Sequence, residues 1–261
     1  MDMKMPPLFS IVVTTHRRPQ ILERALNSLL TQTFTDFEIV LATDEGGIET
    51  KEAAARNLRE SDIFLVLPHT KGPAETRNAG VHHATGRYIL FLDDDDSYQS
   101  DFLQNIADSN VFVGNAINYT NYTKVRERQH PEGVELLSST EVNTGTTEIG
   151  SLLVSNFIPN NAIVMSSSIA KHHRFDVNLN SHEDWDYLLS LVLQYEFNFL
   201  NIAGPVVHNN EGPSRNNTSS GSRTLDYLSI YRKWPIDDPE VKAKRKEMLK
   251  SFGLDLPQEL L

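Results

Sequence analysis

The stretch Tyr88-Ile89-Leu90-Phe91-Leu92-Asp93-Asp94-Asp95-Asp96 decides the fold of this 261-residue chain. Its apolar part predicts a strand buried on both faces, and four acids follow at the carboxyl end of that strand. Open α/β sheets bind their ligands at this end of their strands. Because alternate side chains of an extended segment share a face, Asp93 and Asp95 are predicted to point together.

Two carboxylates on one side of a crevice suit a hard cation, Mg²⁺ or Mn²⁺, that bridges a diphosphate. The alternative is an acidic, solvated turn before a helix, which is what most runs of like charge form.

Strands and helices alternate through the first 95 residues. The predicted strands are residues 9–14, 37–42, 63–67 and 88–92, and the predicted helices are residues 19–32, 51–59 and 74–84. This alternation predicts an α/β fold with a mostly parallel sheet that helices cover on both faces.

The second half of the chain is less regular. We predict a helix from Ser100, as its cap, to Ala107, and strands at residues 111–113, 162–165 and 205–207. An amphipathic helix is predicted at 185–193 and a basic helix at 239–261. Residues 118–148 are polar and predict a loop or flap, and the Asn-, Ser- and Gly-rich residues 209–223 predict a mobile loop, with 214–222 as a lid over the ligand.

Composition excludes several classes of protein. Lys and Arg total 24 and Asp and Glu total 35, a net charge of −11, which argues against a general nucleic-acid binder. The chain has no cysteine, so disulfides, thiolate nucleophiles and cysteine-ligated zinc are excluded. No apolar run approaches the roughly 18 residues of a membrane span, and we expect a cytoplasmic protein.

Several motifs follow one another in an order that resembles the family 2 glycosyltransferases. They are residues 10–19 (SIVVTTHRRP), 25–33 (ALNSLLTQT), 38–41 (EIVL), 72–80 (GPAETRNAG), 84–96 (ATGRYILFLDDDD) and 182–186 (HEDWD). The resemblance covers roughly residues 9–210 and is densest in the first half. It implies a GT-A fold, which is a Rossmann-like, mostly parallel sheet flanked by helices, and transfer of a sugar from a nucleotide-diphosphate donor.

The resemblance also implies a division of the chain. We expect one GT-A domain over residues 1–225, with a nucleotide-sugar-binding half to about residue 105 and an acceptor-binding half at 106–225. Residues 226–261 would form a C-terminal helical tail.

The resemblance implies the donor and metal sites. Asp93 and Asp95 would carry the family's DxD motif and hold Mn²⁺ or Mg²⁺, with His208 completing the metal site. Donor contacts are implied for Thr15, His16, Arg18, Asp44, Arg77, Asn78, Asp93 and Asp94. At Asp44 the sequence TDEGG departs from the family's usual pair of acids followed by Gly and Ser. The nucleobase of the donor is therefore left undecided, although a UDP-sugar is the first candidate.

The pair Glu183-Asp184 begins a predicted helix. Direct displacement at a sugar carbon needs a carboxylate within hydrogen-bond reach of the acceptor hydroxyl, and the resemblance gives this role to Asp184 with Glu183 beside it. The alternative is that the acids only stabilise the helix N-terminus. The implied reaction is an inverting transfer to a saccharide or a lipid-linked saccharide, in surface polysaccharide or glycolipid synthesis.

Three alternatives stay open at this point. The basic tail either packs on the domain or rests peripherally on the anionic inner face of a membrane. A sugar-phosphate nucleotidyltransferase is a rival function, but that class opens with a Gly-rich, basic phosphate loop where this chain has TTHRR at residues 14–18. A non-catalytic carbohydrate- or nucleotide-binding relative is the other rival.

Overall fold

The computed structural model describes residues 5–68, 70, 72–130, 132–179, 181–211 and 220–261. Its strands are β1 (Phe9–Thr15), β2 (Phe37–Thr43), β3 (Ile63–Val66), β4 (Tyr88–Asp93), β5 (Ser97–Tyr98), β6 (Ile117–Thr120), β7 (Tyr122–His130), β8 (Gly133–Val142), β9 (Ile163–Ser166), β10 (Phe197–Leu200) and β11 (Pro205–Asn210). Its helices are α1 (Pro19–Leu30), α2 (Ile48–Asn57), α3 (Pro73–His83), α4 (Phe102–Ala107), α5 (Ser167–His172), α6 (Glu183–Val192), α7 (Ser220–Lys233) and α8 (Pro239–Ser251).

A seven-stranded sheet forms the centre, in the order β10-β6-β9-β4-β1-β2-β3. Its strands pair in parallel except β9, which runs antiparallel to both β4 and β6. Every residue of β1 and β2 is buried, as expected for strands with helices on both faces. The predicted α/β class with a mostly parallel sheet is therefore confirmed.

Helix α3 lies unusually close to β1 because Gly80 faces the strand. A Cβ atom built at Gly80 would come 2.4 Å from Cγ1 of Val12, so only glycine permits this approach. The close packing fixes the N-terminus of α3 at the carboxyl end of β1.

The prediction of a loop at residues 118–148 is wrong. Strands β7 and β8 pair antiparallel and belong to a second, four-stranded sheet in the order β5-β11-β7-β8. The hydrophobic pattern of the sequence did not indicate these strands because few of their side chains are buried. Within β7 only Val125 and Glu127 are buried, and β8 has no fully buried residue. Strands without an apolar face leave no alternating hydrophobic pattern in the sequence.

Two smaller predictions are also wrong. Residues 111–113 form no strand, and Val111 and Val113 are exposed; the strand comes later, as β6. Asp101, not Ser100, precedes helix α4, and its side chain makes no capping hydrogen bond. Of the predicted lid, residues 214–219 lie outside the described part of the chain, and residues 220–222 open α7.

The C-terminal helices pack on the domain. Helix α7 runs through the predicted boundary at residue 225. Ile230, Tyr231 and Leu249 form a buried cluster with Trp185 and Leu189 of α6. This favours the docked tail over the membrane-bound one. In the described residues, no helix has the length and apolar character needed to cross a bilayer.

Candidate active site

A cavity of about 390 Å³ opens at the carboxyl ends of β1 and β2, against the N-terminus of α3. It is lined by Thr14, Thr15, His16, Arg18, Asp44, Gly72, Pro73 and Thr76. Four residues predicted to bind the donor, Thr15, His16, Arg18 and Asp44, thus lie together. A helix N-terminus at the wall of such a cavity favours a negatively charged group such as a phosphate.

Two backbone positions with positive φ shape the cavity. Gly72, with φ of 83°, turns the chain into α3, and Arg17, with φ of 50°, turns it from β1 toward α1. For arginine this left-handed conformation costs free energy, which the neighbouring contacts must outweigh. His16 Nδ1 lies 2.6 Å from Oδ1 of Asp44, which joins the ends of β1 and β2 across the cavity.

The four acids alternate in burial. The side chains of Asp93 and Asp95 are 35% and 33% exposed, whereas that of Asp94 is fully buried and Asp96 is 7% exposed. Asp94 accepts hydrogen bonds from the Thr15 hydroxyl at 2.7 Å and pairs with Arg18 at 2.6 Å. Asp93 and Asp95 therefore reach the surface of this acid loop (residues 93–96), where Asp93 pairs with Arg77 and Asp95 with Arg18 at 2.9 Å, whereas Asp94 and Asp96 point into the protein.

Burial governs the protonation of the two inner acids. It raises the pKa of Asp94 to about 7, against the opposing effect of the Arg18 guanidinium. Burial also raises the pKa of Asp96 well above its usual range, and the charges of Asp93 and Asp95 add to this. Asp96 accepts from the His208 main-chain N–H at 2.9 Å and from Asn161 Nδ2 at 2.7 Å.

Arg77 joins the acid loop to the acid pair of α6. Its Nη2 donates to Oδ1 of Asp93 and its Nη1 to Oε1 of Glu183, both at 2.7 Å. Burial disfavours the charge of Arg77, but the two carboxylates outweigh it and raise its pKa. The two acidic motifs, 90 residues apart in sequence, are therefore held by one guanidinium.

Asp184 lies at the opening of α6 on a second cavity of about 290 Å³, beside Asn156, Pro159 and Lys124. Its Oδ2 accepts from Asn156 Nδ2 at 3.1 Å and its Oδ1 from the Trp185 main-chain N–H at 2.8 Å. Burial, followed by the charge of Glu183, raises the pKa of Asp184. A carboxylate with a raised pKa is a better proton acceptor, which suits a general base.

The chain enters α6 through a second strained residue. His182 precedes Glu183 with φ of 58° and makes no side-chain cap for the helix. Among the described residues, His182 and Arg17 are the two non-glycine positions with positive φ, and they flank the two cavities. Backbone strain of this kind concentrates at functional sites.

His208 lies in a polar cluster that the sequence did not indicate. Its Nδ1 lies 2.9 Å from Oε2 of Glu127 and its Nε2 3.0 Å from Oγ of Ser97. Arg24 donates to the same Glu127 and to the main-chain oxygen of Asp95. Glu127 was missed because its strand was predicted as a loop, and nothing in the sequence distinguishes Arg24 from other polar positions of α1.

The described residues near the acid loop offer too few ligands to hold a cation alone, but enough for a cation that is also bound by the phosphates of a ligand. Mg²⁺ is commonly held by one or two carboxylates with water and substrate phosphates completing its shell, and Asp93 and Asp95 supply such a pair. Within the described ranges, no three His, Asp or Glu side chains are placed to hold an ion by themselves. Both ring nitrogens of His208 face protein partners, so binding a metal would require it to exchange one of them.

Asn78, which the resemblance implied as a donor contact, does not line the cavity at the carboxyl ends of β1 and β2, which we call the donor cavity. Its side-chain amide donates to the main-chain oxygen of Phe175 and accepts from the main-chain N–H of the same residue, both at 2.9 Å. In this arrangement Asn78 ties α3 to the segment before α6, and thereby holds Arg77, its neighbour in sequence, between the two acidic motifs.

Comparison with known proteins gives a family. The model of glycosyl transferase family 2 matches residues 10–143, slightly more than half of the chain. A GalNAc(5)-diNAcBac-PP-undecaprenol beta-1,3-glucosyltransferase of Campylobacter jejuni is 35% identical over 104 residues, which cover 38% of this chain and 33% of that protein. An uncharacterised glycosyltransferase of Bacillus subtilis is 23% identical over 224 residues, covering 84% of this chain and 81% of the other.

The fold has solved counterparts. The structure of S. aureus TarS residues 1–349 in complex with UDP-GlcNAc superposes with a TM-score of 0.66 at 18% identity, over 96% of this chain and 74% of that one. This likeness confirms the predicted GT-A fold. The sequence match spans only a third of the length of the Campylobacter protein.

Proposed function

The chain belongs to glycosyl transferase family 2, and from that premise we propose that it moves a sugar from a UDP-sugar to a hydroxyl group of a saccharide or lipid-linked saccharide. Transfer proceeds with inversion and with a divalent cation. The observation that carries the proposal is the connection from the donor cavity, whose lining residue Thr14 is paired with Asp93 on the neighbouring strand, through Arg77 to Glu183 and its neighbour Asp184.

The donor half binds the nucleotide diphosphate. Thr15, His16, Arg18 and Asp44 line a cavity large enough for a nucleoside, and the N-terminus of α3 lies where the phosphates of such a ligand would be favoured. Asp93 and Asp95 hold the cation, Mn²⁺ or Mg²⁺, which when bound neutralises charge on the leaving diphosphate. Asp94 stays inside the loop and holds Thr15 and Arg18 in place.

The acceptor half provides the base. Asp184 accepts the proton of the acceptor hydroxyl as that oxygen attacks the anomeric carbon from the side opposite the leaving group, which inverts the configuration there. Lys124 lines the same cavity as Asp184 and is available to the acceptor, while Asn156, also in its lining, holds the Asp184 carboxylate. Glu183 keeps Arg77 in place between this base and Asp93. The Campylobacter relative is named for a lipid-linked acceptor, which supports the same acceptor class here.

The test has two arms. A thermal-shift panel of UDP, GDP, UDP-GlcNAc, UDP-glucose and UDP-galactose, with and without Mn²⁺, is expected to give stabilisation by the uridine nucleotides that grows with the metal. Asp184→Asn is expected to abolish turnover of the stabilising donor while leaving its thermal shift unchanged. Metal-dependent stabilisation by none of these nucleotides would overturn the donor assignment, and normal turnover by Asp184→Asn would overturn the base assignment.

A further inference from the structure

The main-chain oxygens of residues 152, 153 and 154 lie close in sequence to Asn156, which lines the cavity beside Asp184. Each of these three oxygens accepts a hydrogen bond from a buried side chain of a different helix. Trp185 Nε1 of α6 donates to Leu152 O at 2.7 Å, Arg245 Nε of α8 to Leu153 O at 2.8 Å, and the Tyr231 hydroxyl of α7 to Val154 O at 2.7 Å. We call the three donors the carbonyl clamp. All three side chains are at most 1% exposed.

The clamped segment leads directly to the proposed base. Two residues after Val154, Asn156 donates through Nδ2 to Asp184, and its Oδ1 accepts from the Ile158 N–H at 3.1 Å. Trp185, one member of the clamp, follows Asp184 in the chain. Fixing residues 152–154 therefore fixes the amide that orients the Asp184 carboxylate.

Arg245 is the costly member of the clamp. Its guanidinium is fully buried, stacks 4.4 Å from the centre of the Tyr231 ring, and donates Nη1 to the main-chain oxygen of Trp234 at 2.8 Å. In the described part of the chain its hydrogen-bond partners are main-chain carbonyls, with no carboxylate among them. Burying a charge without a counter-ion is unfavourable, so simple packing, which a methionine would satisfy, does not account for this residue.

We propose that Tyr231 and Arg245, in the C-terminal helices, are positioning residues for the transfer step: they hold Leu153 and Val154 and thereby Asn156 against Asp184. This inference rests on the proposed role of Asp184. It makes helices α7 and α8 part of the active-site architecture, although neither lines the donor cavity.

The test reads the carboxylate itself. The pKa of Asp184 is measured by ¹³C NMR of carboxyl-labelled aspartates, with the signal assigned by its loss in Asp184→Asn. The charged groups around this carboxylate are Glu183, Arg77, His182 and Lys124, and the variants leave all of them in place. Tyr231→Phe removes only the hydroxyl that holds Val154, and we expect the pKa of Asp184 to rise by about half a unit because its carboxylate loses a fixed donor.

Two variants serve as matched controls. Tyr187→Phe removes an equally buried phenol hydroxyl, which contacts Met165 sulfur at 3.5 Å and not the clamp. Leu249→Ala weakens the packing of the same tail without removing a clamp donor. Neither is expected to move the pKa of Asp184. If Leu249→Ala shifted the pKa of Asp184 by as much as Tyr231→Phe does, the tail would act only through its packing, and the proposal would be overturned.

A double-variant cycle tests the route through Asn156. Asn156→Ala is expected to raise the pKa of Asp184 by itself, and adding Tyr231→Phe should then change nothing further. Additive shifts, or a normal pKa in Tyr231→Phe, contradict the proposal. Tyr231→Phe by itself is expected to lower kcat about five-fold. Its KM for the nucleotide sugar identified by the thermal-shift panel should be unchanged. An inactive Asp184→Asn beside a fully active Tyr231→Phe would remove this inference alone, whereas an active Asp184→Asn would remove the base assignment.

Discussion

Arg77 is the residue on which the two halves of the site depend. A guanidinium has forked donors that reach two carboxylates at once, and Arg77 uses them on Asp93 and Glu183. Lysine keeps the charge but offers a single ammonium on a flexible stem. Substitution by lysine therefore separates the charge of this residue from its geometry.

We expect Arg77→Lys to lower kcat/KM about 100-fold, because loss of the bridge lets the donor and acceptor sides shift relative to each other. The steady-state rate of nucleoside diphosphate release measures the effect. Arg56→Lys, which alters an exposed pair with Glu23 at the surface, is the matched control and should keep the wild-type rate. A wild-type rate in Arg77→Lys would show that charge alone suffices.

The pH dependence of turnover should report Asp184. The base acts as a carboxylate, so kcat falls as the pH drops through its pKa, and the raised pKa places this fall above the pH of about 4 that is usual for aspartate. Glu183→Gln removes the neighbouring negative charge, which lowers the pKa of Asp184 and moves the fall to lower pH. A pH–kcat profile of both proteins checks this, and a shift to higher pH would contradict it.

At the residue scale, sequence reasoning could place contacts that follow the ends of predicted strands. Thr15 ends β1, His16 and Arg18 follow it, and Asp44 follows β2; parallel strands bring their carboxyl ends to one edge. The orientations of Asn78 and His208 depend instead on partners from distant segments, Phe175 for one and Glu127 for the other. No local pattern encodes such partners.

At the scale of elements, the packing of α3 on β1 depends on one missing methyl group. Gly80→Ala would place its Cβ 2.4 Å from Val12 Cγ1, so helix and strand must separate, which costs about 1–3 kcal/mol of the free energy of unfolding. Urea denaturation measures this change. Gly150→Ala adds a methyl group at an exposed position where no atom lies within 4 Å and should unfold as the wild type does.

The elements that sequence could predict are those that bury an apolar face. Helix α1 buries Leu22, Leu26 and Leu29 at helical spacing, and β1 is buried throughout. Strands β7 and β8 are held by their antiparallel pairing while most of their side chains stay exposed, so composition alone described them as a loop. Backbone pairing between partners is invisible to a periodicity argument.

For the molecule as a whole, the C-terminal helices contribute to stability. Leu249 is fully buried against the cluster that contains Trp185, and Leu249→Ala is expected to lower the free energy of unfolding by about 2–4 kcal/mol. Chemical denaturation followed by tryptophan fluorescence measures it. Leu225→Ala, at a position of α7 that is 63% exposed, is the control and should change stability by less than about 0.5 kcal/mol. Equal effects at both positions would contradict the docked arrangement.

The acid loop has one end in each sheet. Strand β4 of the central sheet ends at Asp93, and β5 of the smaller sheet begins at Ser97, so Asp94, Asp95 and Asp96 span the junction. We therefore expect the distance between the Asp93 and Asp95 carboxylates to change with the angle between the two sheets. Spin labels on an edge strand of each sheet, β3 and β8, would follow that angle, and a ligand that draws the two carboxylates together should narrow the measured distance distribution.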